Sequence, residues 1–192
     1  MWQEVGYHRV SGLRAVRCSA ERCAVDDRRG VGGRCGGPNR LVGVYRCRDH
    51  PRSESALLFA TISAMDELRV ISPTREGEGI AIAAGLWTGG RKPLVVLQNT
   101  GLMEAGDALR GCGIGPRIPL RLMIGWRGFA GAQAGRVPID SAYPATEPLL
   151  AAWNIPTWHL MSDADLDIVD AMDDEAMRTS LPTAVLTGWA FR

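Results

Sequence analysis

Residues 68–98 read LRVISPTREGEGIAIAAGLWTGGRKPLVVLQ. Leu68–Ile71 is a short apolar run closed by Ser72-Pro73, the signature of a strand that ends at a turn. Ser72 or Thr74 offers an N-cap for a helix over Glu76–Thr88, and Gly89-Gly90 gives that helix a C-terminal stop. Pro93–Gln98 is then continuously apolar, as a strand covered on both faces must be. Strand, helix and buried strand in succession make a βαβ unit, and the alternation continues to the end of the chain. It predicts a helix over Leu102–Arg110, a strand over Pro119–Ile124 and a Gly- and Ala-rich excursion over Arg127–Tyr143. A helix over Ala145–Trp153, a strand over Thr157–Met161, a helix over Asp163–Arg178 and a last strand over Pro182–Thr187 follow. Five strands separated by helices predict an α/β fold with a doubly wound parallel sheet, a class that binds ligands at the carboxyl ends of its strands.

The chain has 192 residues, 46% hydrophobic and 22% charged, which suits one domain. Its formal net charge of +1 provides no bulk field for nucleic acid or an anionic membrane. Charge and composition are unevenly spread, however. Residues 1–52 hold 11 arginines, no lysine and 5 acidic residues, along with 8 of the 23 glycines and 4 of the 5 cysteines. This segment has neither helical nor strand periodicity, and only short pieces such as Leu41–Tyr45 fit a strand. Residues 1–52 are therefore an irregular segment without an assigned fold, and residues 53–192 form the domain. Cys18, Cys23, Cys35 and Cys47 contain no CxxC pair, so zinc is not expected and no metal ligand is assigned in this chain. No run approaches the ~20 apolar residues of a membrane span, and the expected location is the cytoplasm.

Chemistry is concentrated around Pro73–Gly85 and Lys92–Gly101. Glu76 falls at a strand-to-helix junction, on the edge where a parallel sheet presents its ligands. Behind it Gly79, Ala81, Ala83, Ala84 and Gly85 leave helix surface almost without side chains, open to close approach by a backbone or subunit. His159 is alone in its strand, and the tryptophans are scattered as core or interface residues.

Four blocks, in order, carry a family resemblance: Thr-Arg-Glu-Gly-Glu-Gly (74–79), Gln-Asn-Thr-Gly-Leu (98–102), Ile-Pro-Leu (118–120) leading to Gly-Trp-Arg-Gly (125–128), and Thr-Glu-Pro-Leu-Leu-Ala-Ala-Trp-Asn-Ile-Pro (146–156). From about Ser53 to Arg192 the chain resembles the pyrimidine-binding domain of thiamine-diphosphate-dependent 2-oxo acid decarboxylases. The particular likeness is to the separate α subunits of the sulfopyruvate and phosphonopyruvate decarboxylase group. The resemblance implies that Glu76 is the catalytic glutamate, hydrogen-bonded to N1′ of the cofactor's aminopyrimidine so that the 4′-amino group can take the proton from C2. The thiazolium then accepts the electrons released as carbon dioxide leaves. It further implies that Gln98, Asn99, Thr100 and Gly101 line the pyrimidine pocket. Ser53, where the family has a Pro-Cys-Ser turn, and Arg127, through its fork of donors, become candidate contacts for the acidic substrate. After Leu102 the family often has a second Gly where this chain has Met103-Glu104, a change that bears on the shape of the pocket.

The family holds the diphosphate through Mg²⁺ on a Gly-Asp-Gly motif, which this sequence lacks; Gly106-Asp107-Ala108 falls inside a predicted helix. Thiamine diphosphate and Mg²⁺ are thus expected with the metal ligands on a partner β subunit, and a small 2-oxo acid as substrate. Carboligation, or a pairing subunit without catalysis, are the alternative readings.

Overall fold

A computed structural model describes residues 41–45, 69–137 and 140–188, all within the compact unit 33–192. Six parallel strands form one sheet: β1 (Leu41–Tyr45), β2 (Arg69–Ile71), β3 (Lys92–Gln98), β4 (Arg121–Gly125), β5 (Thr157–Leu160) and β6 (Thr183–Thr187), in the order β2-β1-β3-β4-β6-β5. All five expected strands are present. The sixth, β1, is the short piece inside the irregular segment, and it lies between β2 and β3. Val42 is opposite Arg69 on one side, and Leu41 is opposite Lys92 on the other. The chain runs outward from β1 to β2, crosses back to β3, and then continues the opposite way. That reversal is the topological switch at which open α/β sheets leave a crevice.

Helices cover both faces of the sheet. The first among the described residues is α1 (Glu76–Thr88). Then come α2 (Asn99–Glu104), which continues through Gly106–Ala108 into a π-helical stretch at Leu109–Ile114, and the short α3 (Phe129–Gln133). The last two are α4 (Ala142–Ala152) and, after a 3₁₀ turn at Asp163–Asp165, α5 (Asp167–Thr179). The period of two along each strand sorts the core into two layers. Val95, Leu97, Leu122, Ile124, Ala184 and Leu186 meet Ile80 and Ala83 of α1, Leu102 of α2 and Leu150 of α4 on one face. On the other, Leu94, Trp158, Leu160 and Val185 meet Ile168, Val169 and Met172 of α5. Each fully buried Leu or Ile in these layers contributes roughly 1.5–3 kcal/mol by leaving water.

Boundaries differ from expectation in two places that matter for the site. Helix α2 begins at Asn99, directly off the end of β3, and not at Leu102. The excursion 127–143 contains α3 and the start of α4, because Asp140 Oδ1 accepts the Ala142 N–H at 2.9 Å and starts that helix early. The small residues of α1 are divided between two environments. Gly79, Ala83 and Ala84 are buried, while Ala81 and Gly85 are exposed.

At the amino-terminal end of the sheet, Arg121 is 4% exposed. Its Nε donates to Asp173 Oδ1 of α5 at 2.6 Å, and its Nη1 donates to the Pro119 carbonyl at 2.8 Å. Nη2 lies 2.5 Å from the same aspartate oxygen but without hydrogen-bond alignment, so it contributes charge and no bond among the described residues. The guanidinium also stacks over Trp87 at 5.0 Å, and Lys92 adds a second cation 3.5 Å from Asp173. A buried charge of this kind is tolerated because it is paired and hydrogen-bonded.

Candidate active site

The carboxyl ends of four strands finish on one rung. Gln98 of β3 pairs with Gly125 of β4, Gly125 with Thr187 of β6, and Thr187 with Leu160 of β5. The turns leaving this edge carry the residues singled out from the sequence, and those leaving β2, β3 and β4 converge.

Glu76 is the first residue of α1 and is partly buried. Its side chain lies against the backbone of Gly101 in α2. A Cβ built on Gly101 would fall 2.5 Å from Glu76 Cγ, 2.6 Å from Oε1 and 2.8 Å from Cδ, so only glycine leaves room for the carboxyl there. The structure therefore brings together two blocks 25 residues apart in the chain. Among the described residues no hydrogen bond is made to the Glu76 carboxyl, which leaves its oxygens available to a donor from outside.

The cap of α1 is not the one expected. The N-cap position is Arg75, not Ser72 or Thr74, and it has no side-chain cap bond. Glu104, from the end of α2, does the work across space. Its Oε2 accepts the Gly77 N–H at 2.8 Å, and its Oε1 takes Arg75 Nε at 2.8 Å and Nη2 at 2.7 Å. A carboxylate on the first N–H groups of a helix is favoured by the orphan donors and by the macrodipole. The backbone N–H of Thr74 turns instead to Glu78 Oε2, at 2.8 Å.

Asn99 is fully buried. Its Nδ2 donates to the Arg127 carbonyl at 3.1 Å, and its Oδ1 accepts the Thr100 N–H at 3.1 Å. The amide thus ties the β3–α2 turn to the β4–α3 turn and holds the Thr100 N–H in the first turn of α2. Gln98 is partly buried at the N-cap of α2, Thr100 is exposed, and Gly101 is buried. In the next turn Gly128 has φ +97°, a left-handed conformation suited to glycine, and Tyr143 Cβ would be 2.9 Å from any Cβ there. Arg127 projects with a 62% exposed side chain, 3.6 Å from Asp140 Oδ2. Trp126, 6% exposed, stacks on Phe129, Tyr143 and His159, and donates its Nε1–H to the Tyr143 carbonyl at 3.2 Å. His159 in turn meets Glu147 at 2.9 Å, so both belong to the support of this turn. Ser53 and the cysteines of residues 1–52 lie outside the described residues. Asp107 of the Gly-Asp-Ala sequence is in a helix, held by Arg110 at 2.6 Å.

No family model matches the chain. Over 134 residues, 70% of this chain and 29% of the relative, it is 30% identical to the phosphonopyruvate decarboxylase of Streptomyces viridochromogenes. Over 77 residues it is 36% identical to the sulfopyruvate decarboxylase of Methanosarcina acetivorans, covering 39% of this chain and 20% of that one. With the sulfopyruvate decarboxylase subunit alpha of Methanothermobacter thermautotrophicus it shares 30% identity over 115 residues, which is 59% of this chain and 68% of the relative. The chain belongs to the sulfopyruvate/phosphonopyruvate decarboxylase family. Within that family it spans 20% of that sulfopyruvate decarboxylase, 29% of that phosphonopyruvate decarboxylase and 68% of that subunit alpha. Its fold is similar to that of a split-gene transketolase in an inactive β4 tetramer. The TM-score is 0.52 at 16% identity, covering 79% of this chain and 46% of that one, and this likeness concerns the fold alone. No helix among the described residues is long and apolar enough to cross a membrane.

The site fits one part of a thiamine-type cofactor and not the other. A partly buried carboxyl, unpartnered among the described residues and laid flat on a bare glycine, suits a ring nitrogen that can share a proton. Among the described residues, no group of three or more His, Cys, Asp or Glu side chains is placed to hold a metal ion.

Proposed function

We propose that the chain is one subunit of a thiamine-diphosphate-dependent 2-oxo acid decarboxylase, with residues 53–192, together with the strand β1 that pairs into their sheet, forming its pyrimidine-binding domain. The observation that carries this reading is the Glu76 carboxyl resting on Gly101 at the carboxyl edge of the sheet, in a chain of the sulfopyruvate/phosphonopyruvate decarboxylase family. The cofactor supplies an electron sink for the carboxylate carbon's departure as carbon dioxide. The chain's own part is to hold and move one proton. With the cofactor bound, Glu76 would share it with the ring nitrogen of the aminopyrimidine, while Gly101 leaves the room that the carboxyl needs to stay where it is. Gln98 and Thr100 edge the same turn, and Asn99 keeps the turn in place against the Arg127 carbonyl. Arg127, exposed on the neighbouring turn and 3.6 Å from Asp140 Oδ2, is a group of this site suited to the anionic tail of the substrate. The diphosphate and Mg²⁺ then fall to a partner β subunit carrying Gly-Asp-Gly, and the complete site forms between the two.

The test is calorimetric titration of thiamine diphosphate and Mg²⁺ into the chain alone and into its mixture with such a partner. Binding in the mixture only is expected, together with carbon dioxide release from a 2-oxo acid. Glu76→Gln should keep the fold and lose turnover by about 100-fold or more, the scale of a general acid–base contribution. A mixture that forms a complex yet binds no cofactor would favour the pairing-subunit reading and sink this one.

A further inference from the structure

Glu104 is the residue that follows Met103 where the wider family often has glycine, and its carboxylate is fully occupied by the chain itself. Three contacts of 2.7–2.8 Å attach it to Arg75 and to the Gly77 N–H, the two neighbours of Glu76 in the chain. Gly101 stands three residues before Glu104 on α2, so both lie on one face of that helix. The same face therefore meets Glu76 twice: directly, through the bare backbone of Gly101, and at one remove, through the clamp on the residues on either side.

We infer that Glu104 is a positioning residue for Glu76, setting the direction in which its carboxyl leaves the start of α1. The inference rests on the role proposed for Glu76 above. Stability alone does not account for the arrangement. The Arg75–Glu104 pair is exposed, with side-chain exposures of 73% and 31%, and an exposed ion pair contributes little to folding. What it does fix is geometry. The first turn of α1 follows a strand of only three residues, and its N-cap residue, Arg75, makes no side-chain cap bond of its own. Without Glu104 the Gly77 N–H loses its acceptor, Arg75 loses its anchor, and the backbone of Glu76 can rotate relative to Gly101. Misplacement of a catalytic group by about 1 Å can cost on the order of 100-fold in rate.

The experiment uses the full chain, alone and in complex with a diphosphate-domain partner, thiamine diphosphate and Mg²⁺. In the chain alone, amide hydrogen exchange reads the Gly77 N–H; in the complex, hydrogen–deuterium exchange at C2 of the bound cofactor reads the proton step without any substrate. Glu104→Ala should speed Gly77 exchange and slow C2 exchange by about 10- to 100-fold, with cofactor affinity and the melting temperature changed far less. Glu104→Gln, which keeps an oxygen for Gly77, should restore most of the C2 rate, which a nonspecific loss of structure would not allow. The inference is overturned if Glu104→Ala keeps the wild-type C2 rate while Glu76→Gln has lost it. It is equally overturned if Glu104→Ala lowers C2 exchange, affinity and melting temperature together and Glu104→Gln restores none of them. A Glu76→Gln complex that exchanges C2 at the wild-type rate would overturn the proposed function itself, and is thereby told apart from failure at Glu104.

Discussion

Gly101 separates room from charge at this site. Gly101→Ala adds one methyl at 2.5–2.8 Å from the Glu76 side chain and changes no charge or hydrogen bond. The carboxyl must swing away, because the backbone on which the methyl sits cannot. A crowded methyl in a packed setting costs about 1–3 kcal/mol of stability, whereas displacement of the carboxyl should remove catalysis by roughly 100-fold. Denaturant unfolding and decarboxylation rates measured on the same preparation check that disproportion. Glu76 and the turn Gln98–Gly101 were each legible in the sequence, one as an acid at a strand-to-helix junction and the other as a polar strand end. Their contact was not, since nothing local relates positions 76 and 101. Glu104 was visible only as a departure at the end of a motif. Its spacing of three from Gly101 would have pointed to a shared face, had α2 been started at Asn99.

At the level of elements, α1 runs over Glu76–Thr88 as its sequence predicts, because small and apolar residues fill it and Gly89 ends it. The start of α2 was hidden because asparagine is a poor helix interior residue, and only the buried bonds of Asn99 let the strand pass straight into the helix. Helix α5 and the turn before it each carry a carboxylate whose surroundings favour the ionised form. Asp165, in the turn before it, is held below the usual aspartate range by the Met161 N–H and then by the Ser162 hydroxyl. Glu175 is held down by Arg178, which grips it through Nε at 2.7 Å and through Nη2. A carboxyl whose folded pKa is depressed adds stability above its unfolded pKa and loses it as the pH falls through the folded one. Both contributions should therefore be intact at neutral pH and disappear on acidification below the ordinary carboxylate range. Thermal unfolding followed from pH 7 toward pH 3 should show a shallower acid decline for Asp165→Asn and Glu175→Gln than for the wild type.

Over the whole molecule, the sheet order could be only half anticipated. Five strands and their parallel sense follow from apolar runs separated by helices, but β1 lies in a stretch dominated by Arg, Gly and Cys, where period-two patterning is interrupted by Gly43. Yet β1 sits at the switch point with a neighbour on each side, Val44 being opposite both Ile71 and Val95. Val44→Pro removes an N–H from a strand paired on both sides and leaves a carbonyl of the ladder unmatched, which should cost about 1–3 kcal/mol. A drop in the unfolding midpoint by circular dichroism checks it, and an unchanged midpoint would mean that β1 contributes nothing to the sheet.

The Arg121–Asp173 pair marks the far end of the same strand whose other end, Gly125, opens onto the Arg127 turn. Four residue steps along the strand separate them, roughly 13 Å at 3.3 Å per step, beyond the distance over which substitutions ordinarily influence one another. The protein thus has a stabilising pole and a chemical pole joined by rigid strands. Changes at the first should add to those at the second without interference, so the turns at the carboxyl edge can be altered while the opposite rim keeps the sheet assembled.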